Sequence, residues 1–199
     1  MGKKRTFNRK TGRKRYKKVF IISVEGSVTE RQYFNWFKQQ HSAIHIKCIN
    51  KRDQSAPRKV LKKMKQHLKD NNLNKNDEAW LVVDRDGWQE EHLNELFSWS
   101  DTNPSYGLAL SNPNFEYWLL LHFEDGRTIN NSHNCKERLL KYIPKYNKSI
   151  DMRHITVDMI KDAIDRAKRR DNPPCESWPD KKGSTTVYKL AQNILNDIS

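Results

Sequence analysis

The stretch Ala79-Trp80-Leu81-Val82-Val83-Asp84-Arg85-Asp86-Gly87 decides the fold of this chain. Its apolar first half, residues 79–83, predicts a short strand that is buried on both faces, as strands of parallel sheets are. Two acids follow directly, at positions 84 and 86. The strand is therefore expected to bring two carboxylates to the edge of a sheet.

Strands and helices alternate on both sides of this stretch. Other strands are predicted at residues 19–24, 44–49 and 106–110, and helices at 57–69, 89–99, 114–123 and from Ser27, which has capping-box spacing to Glu30. Two apolar stripes at helical spacing, within 159–167 and 187–198, predict further helices that pack on the sheet. This pattern predicts an α/β fold with a mostly parallel sheet flanked by helices.

The length of 199 residues suits one domain with a real core. We expect a flexible basic arm over residues 1–18, a catalytic core over 19–125, and a helical extension over 126–199 that packs on the core.

Positive charge is concentrated at the start of the chain. The formal net charge is +14, and residues 1–18 carry ten cations with no acid. These cations are Lys3, Lys4, Arg5, Arg9, Lys10, Arg13, Lys14, Arg15, Lys17 and Lys18. Such a segment favours binding to nucleic-acid phosphates through counterion release, although it also suits a solubilising tail. We expect a second group, Arg166, Lys168, Arg169 and Arg170, to help hold the backbone.

Cysteine usage and hydropathy indicate the compartment. Cys48, Cys135 and Cys175 are odd in number and far apart, which predicts reduced thiols rather than a disulfide framework or a zinc site. The sequence shows neither a signal peptide nor an apolar run of about 18 residues. We therefore expect a cytoplasmic protein without a membrane span.

Acids are predicted at the ends of two strands. Glu25 follows the first strand and Asp84 follows the third, and the carboxyl ends of parallel strands meet at one edge where ligands collect. Asp84 and Asp86 could both point at Mg²⁺, which takes carboxylate and phosphate oxygens. A polar turn is the alternative, since the full calcium-loop pattern is not met after Asp84.

Two polar segments are candidates to line the same edge. In Ser111-Asn112-Pro113-Asn114-Phe115-Glu116, Asn112 or Asn114 could cap a helix, and Glu116 could favour the helix dipole or be a further acid of the site. Ser184 and Thr185, with Thr186, either line the site or begin the last helix.

Four motifs together resemble the RloB family, which includes the abortive-infection protein AbiLii. They are VEGSVTE at 24–30, VVDRD at 82–86, SNPNFEYWLLLHF at 111–123 and GSTTVYKL at 183–190. The family is similar to the TOPRIM superfamily, so the resemblance implies a compact TOPRIM-like core. It also implies Glu25 as general acid or base and Asp84 and Asp86 as ligands of Mg²⁺ or Mn²⁺. An ABC-type ATPase partner is implied in the same way. Gly26, directly after Glu25, is a further candidate to line the site.

One position departs from related nucleases of the OLD type, which carry a second Glu four residues after the first. Here Glu30 stands five residues after Glu25, and one residue turns a helix position by about 100°. Capping is therefore the preferred role for Glu30, with a metal role as the alternative.

The leading hypothesis is a Mg²⁺-dependent nuclease acting in antiphage abortive infection, on tRNA, other RNA or DNA. Asp84 and Asp86, with help from Glu25 or Glu116, would bind the metal. The alternatives are a non-catalytic subunit that binds nucleic acid or a partner, and a phosphatase that uses Asp84 as nucleophile and Asp86 as acid.

Overall fold

A five-stranded sheet forms the centre of the molecule. The computed structural model describes residues 17–26, 28–40, 43–49, 57–85 and 87–198. The strands are β1 (Lys18–Val24), β2 (Ile44–Ile49), β3 (Glu78–Asp84), β4 (Tyr106–Asn112) and β5 (Ser184–Thr185). Their order is β2-β1-β3-β4-β5, with the first four strands parallel and β5 antiparallel to β4. The predicted α/β fold with a mostly parallel sheet is confirmed.

Seven α-helices lie in the described part of the chain. They are α1 (Thr29–Gln40), α2 (Pro57–Asp70), α3 (Glu90–Asp101), α4 (Phe115–Leu120), α5 (Ser132–Tyr142), α6 (Val157–Arg170) and α7 (Val187–Asn196). The sequence predicted all of them except α5, and α4 ends at Leu120, earlier than the predicted residue 123. No described helix has the length and apolar character needed to cross a membrane.

The sheet separates two apolar clusters because successive strand residues point to opposite faces. In β1, Phe20, Ile22 and Val24 belong to one cluster, whereas Ile21 belongs to the other. Side chains of α2 and α3 pack in the cluster of Ile21, and those of α1 and α4 to α7 pack in the cluster of Phe20. The helices beyond residue 126 therefore share a core with the first strand.

Lys18 was predicted to belong to the flexible arm, but the structure places it elsewhere. It is the first residue of β1, and its ammonium Nζ lies 2.7 Å from Glu78 Oε1 and 2.6 Å from Asp197 Oδ2. Lys18 is thus part of the sheet, where it joins two strands to the end of α7. Lys17 is described and exposed, but the other arm cations, at positions 3 to 15, lie outside the described residues.

Candidate acidic site at the carboxyl edge of the sheet

Glu25 and Asp84 meet where β1 and β3 end. The Glu25 backbone N–H donates to the Val82 carbonyl over 3.0 Å, which continues the parallel pairing of the two strands. The Asp84 backbone N–H then donates to Glu25 Oε2 over 3.2 Å, across 59 positions of sequence. The parallel register thus brings together the two acids that the sequence placed at strand ends.

Asp84 is held by the start of α4. Its Oδ1 accepts a hydrogen bond of 2.8 Å from the backbone N–H of Phe115, the first residue of that helix. Burial raises the pKa of Asp84 well above its usual range, and the negative charges of Glu30, Glu25 and Glu116 raise it further. The Phe115 N–H opposes this rise without cancelling it. Four carboxylates therefore interact at this edge.

Glu30 caps the turn after β1 and also belongs to this acidic cluster. Its Oε1 accepts a hydrogen bond of 3.0 Å from the Gly26 N–H, whereas the predicted capping box pairs Glu30 with Ser27, which lies outside the described residues. A Cβ at position 26 would lie 2.1 Å from Glu30 Oε2, so glycine permits the close approach. Burial raises the pKa of Glu30, and the charge of Glu116 raises it further.

Glu116 is buried and bound by two side chains from a later loop. Its Oε1 accepts from the Lys148 ammonium over 2.6 Å and from the Tyr146 hydroxyl over 2.9 Å. Thr29 holds that loop in place, since its hydroxyl donates to the Lys148 carbonyl over 2.7 Å and lies 3.1 Å from the Tyr146 hydroxyl. The second role foreseen for Glu116, as a fourth acid at this edge, agrees with its position.

Lys148 brings a positive charge into this acidic environment. Burial lowers the pKa of Lys148, but its hydrogen bond and attraction to Glu116, with the charges of Asp84 and Glu30, raise the pKa overall. The sequence did not point to Lys148, Tyr146 or Thr29. Lys148 and Tyr146 lie outside the strand ends and outside the family motifs, and Thr29 lies in the motif at 24–30 without a predicted role. Only the folded loop reveals that Lys148 and Tyr146 contact Glu116 and that Thr29 holds them there.

Glu25 combines a raised pKa with a hydrogen-bonded position. Burial raises the pKa of its carboxyl, and the nearby charge of Glu30 adds to the rise. The backbone N–H of Asp84 and the side chain of Trp88 lower it by hydrogen bonding to the carboxylate. Glu25 is therefore held in place while its affinity for a proton is increased.

The donor chemistry at this edge fits a hard cation. Asn114 precedes Phe115, and its side-chain Oδ1 is buried with no hydrogen-bond partner among the described residues. An unpaired buried oxygen beside clustered carboxylates is the kind of group that a water molecule or an ion satisfies. In the described part of the chain, no three His, Cys, Asp or Glu residues are grouped as a metal site, and Asp86 lies outside that part.

Several residues predicted to line the site also take part in hydrogen bonds that hold β5 and the loop before it beside β4. Ser111 Oγ lies 2.8 Å from Thr185 Oγ1, and Thr185 Oγ1 also donates to the Leu110 carbonyl over 3.1 Å. Ser184 Oγ donates to the Lys181 carbonyl. The side-chain amide of Asn112 donates to the Pro179 and Asp180 carbonyls rather than capping α4.

The cap predicted for α4 lacks its side-chain hydrogen bond, whereas a polar residue predicted to begin the last helix does bond to the start of α7. Asn114 occupies the N-cap position of α4 without a side-chain cap hydrogen bond, and Thr186 does the same at α7. The Val187 N–H instead donates to Thr185 Oγ1 over 3.2 Å, so Thr185 supports the start of the last helix.

The basic residues of α6 have structural partners. Arg166 Nη1 donates to the Leu121 carbonyl over 2.7 Å, and Arg170 Nε donates to the Gly183 carbonyl over 3.0 Å. Arg169 lies 3.5 Å from Asp125, whereas Lys168 is exposed. Arg166 and Arg170 therefore bind the protein itself, which weakens the expectation that they hold a nucleic-acid backbone.

The fold and the acidic cluster define a class of protein: an α/β domain with a mostly parallel sheet and carboxylates gathered at the carboxyl ends of its strands. A family model described as RloB-like protein matches residues 20–194, which is most of the chain. The chain therefore belongs to the RloB-like family, as its motifs predicted. No curated protein and no solved structure matches the chain.

Proposed function

We propose that this RloB-like protein is a metal-dependent nuclease that hydrolyses the phosphodiester bonds of a nucleic acid. One observation carries the proposal: burial raises the pKa of half-buried Asp84, and the charges of Glu30, Glu25 and Glu116 raise it further, in a chain whose net charge is +14. A fold gains little stability from gathering like charges in a partly buried place. A divalent cation would balance the charge and would also admit an anionic substrate.

The side chains at the edge suit distinct tasks in such a reaction. Asp84 and Asp86, with Glu25, would hold Mg²⁺ or Mn²⁺. When bound, this ion would polarise the scissile phosphate and lower the pKa of an attacking water. Glu25 is suited to accept the proton of that water, because its raised pKa moves it toward the range of an effective general base. Glu116 would contribute by holding the Lys148 ammonium at this edge through their hydrogen bond.

The biological role proposed follows from the family and from the charge. As a member of the RloB-like family, the protein would be the effector of an antiphage abortive-infection system in the cytoplasm, working with an ABC-type ATPase. Its substrate would be an RNA such as tRNA, or DNA. The excess of basic residues supports attraction to either polyanion.

A second candidate is a non-catalytic subunit that binds nucleic acid or a partner. It is favoured by the way protein groups already bind the acidic cluster. The Phe115 and Gly26 N–H groups donate to Asp84 and Glu30, and Lys148 donates to Glu116. Acids satisfied in this way can be structural, and such a subunit would bind nucleic acid without cutting it.

Cleavage of mixed tRNA and of plasmid DNA by the purified protein tests the two candidates. Reactions contain Mg²⁺, Mn²⁺ or EDTA, and they compare wild type with Asp84→Asn and Glu25→Gln. Asp101→Asn is the matched control, because Asp101 is an exposed acid at the end of α3, away from the cluster. Calorimetric titration with Mn²⁺ measures metal binding separately from activity.

The nuclease proposal predicts cutting that needs metal, is lost in both site variants and survives in Asp101→Asn. Asp84→Asn should also weaken Mn²⁺ binding at least tenfold. The opposite outcome is nucleic-acid binding without cutting, even with the co-expressed ATPase, and a Mn²⁺ affinity that Asp84→Asn leaves unchanged. That outcome replaces the nuclease with the binding subunit.

A further inference from the structure

Beyond the first 18 residues of the chain, positive charge is concentrated on α2. Residues 1–18 account for ten of the fourteen net charges, which leaves a net charge of +4 for residues 19–199. Within that remainder, α2 alone has six Lys or Arg residues and one acid, Asp70. The rest of the chain beyond residue 18 thus has a net charge close to zero, and α2 carries the excess of positive charge there.

Four of these cations form one row along the exposed side of the helix. Arg58, Lys62, Lys65 and Lys69 follow each other at intervals of three or four residues, so about one cation stands on each turn over roughly 16 Å. All four line a groove of about 360 Å³, which is also lined by Gln66 of the same helix and by Glu95 of α3. A strand of duplex nucleic acid carries one phosphate per roughly 3.4 Å, so such a row spans several phosphates.

Most cations of this row remain uncompensated by protein acids. Arg58 pairs with Glu91 and Glu95 at 3.2 and 3.4 Å, with all three side chains largely exposed. Lys62, Lys65 and Lys69 are exposed and form no ion pair within the described residues. Three neighbouring ammonium groups repel one another, and a polyanion would relieve that repulsion.

The row begins beside the acidic edge. The Ser23 hydroxyl donates to the Val60 carbonyl over 2.9 Å, which fixes the first turn of α2 next to the end of β1. Ser23 stands two residues before Glu25, so a backbone that follows the helix from Lys69 toward Arg58 is led toward the carboxylates.

The apolar side of α2 is fully used by the core, which rules out the membrane as the partner of this helix. Val60, Leu61 and Met64 are at most 1% exposed and pack in the cluster of Ile21. A helix that inserts into a lipid surface must offer its apolar side to the lipid. What remains exposed on α2 is charged or polar, and this suits phosphates rather than acyl chains.

We infer that the exposed row of α2 is a binding surface for the sugar-phosphate backbone of a nucleic acid, leading it to the acidic edge. This inference adds a substrate-binding surface to the proposed nuclease, and the delivery of substrate to the acidic edge rests on that proposed function. Binding by α2 can nevertheless be measured in EDTA without any cleavage, so its failure is distinguishable from failure of the nuclease proposal.

The test is a salt titration of binding in EDTA, with fluorescent tRNA and with duplex DNA as separate probes. The variant Lys62→Gln/Lys65→Gln/Lys69→Gln is compared with Lys136→Gln/Lys141→Gln/Lys145→Gln. Both triple variants remove three exposed cations, but the control lysines lie on α5 and just beyond it, a helix packed in the cluster of Phe20. Gln has nearly the helix propensity of Lys, so both proteins are expected to fold, and circular dichroism checks this.

The α2 variant should bind at least one probe more weakly, with the slope of log affinity against log salt reduced in size by about 2 to 3. This corresponds to about 0.7 to 0.9 for each lost phosphate contact, while the control slope changes by less than 1. Equal effects of the two triple variants, or no effect of the α2 variant on either probe, would overturn the inference. Polyglutamate of matched charge serves as a further probe. If it binds wild type as tightly as the nucleic acids do, and if the α2 variant loses as much affinity for it, the inference is overturned and the row fits an acidic protein partner.

Discussion

Replacing Lys148 with Met should destabilise the protein because it leaves buried Glu116 without its cation. The two charged atoms lie 2.6 Å apart, and the side chains are 65% and 3% exposed respectively. Coulomb's law at 2.6 Å gives about 1.6 kcal/mol at the dielectric constant of water and about 6 kcal/mol at an effective value of 20. The exposure of Lys148 places the interaction near the lower limit, so we expect a loss of about 2 kcal/mol.

Urea denaturation and calorimetry measure this loss, which corresponds to a fall in Tm of about 4–8 °C for a domain of this size. Lys145→Met is the matched control, since Lys145 is an exposed lysine three residues earlier, and it should change stability by less than about 0.5 kcal/mol. Adding Glu116→Gln to Lys148→Met removes the unpaired charge and should restore most of the stability. If Lys148→Met costs no more than Lys145→Met, or if the two site substitutions are additive, the pair does not stabilise Glu116 as argued.

Three further predictions concern the same edge of the sheet. Asp84→Asn should be more stable than wild type at pH 8 in urea denaturation, with the difference shrinking toward pH 4. The sign follows because a carboxyl whose pKa is raised by folding costs stability as pH rises, and a less stable variant at pH 8 would contradict it. Gly26→Ala should destabilise by about 1 kcal/mol in calorimetry, since its Cβ would displace the flexible end of Glu30 from its hydrogen bond with the residue 26 N–H, and Gly26→Ala/Glu30→Ala should cost no more than Glu30→Ala alone. Ser23→Ala should cost about 1 kcal/mol by urea denaturation, because the Val60 carbonyl loses its buried donor, and an unchanged midpoint would argue against that anchor.

The strength of local patterns explains which elements the sequence could predict. Three predictions agree with the structure to within a residue at each end: strands 44–49 and 79–83 with β2 and β3, and helix 57–69 with α2. A buried apolar run predicts a strand, and an apolar stripe on one side predicts a helix, whatever elements surround them in the fold. Strand β5 has two residues and forms only by pairing with β4, so it has no local signal. Helix α5 was missed because just two of its side chains, Cys135 and Leu139, are fully buried.

Side-chain partners were harder to predict than positions. Ser111 and Thr185 have the residue types and the sheet edge expected of a polar site, yet they bond to each other across the β4–β5 pair. Lys18 continues a basic run in sequence, but the register of β1 sets it between Glu78 and Asp197. A residue type indicates what a group can bond to, whereas the fold decides which partner lies within reach.

The sequence alone determined the α/β class, the family, and the position of Glu25 and Asp84 at the ends of parallel strands. These follow from hydrophobic periodicity and from motifs, which are local properties of the chain. Only the tertiary structure brought Lys148 and Tyr146 to Glu116, across 32 and 30 positions, and only it set Asp84 where the charges of Glu30, Glu25 and Glu116 add to burial in raising its pKa. Charges interact through space rather than along the chain, so the electrostatic character of this edge exists only after the loop of residues 143–151 folds against α1 and α4.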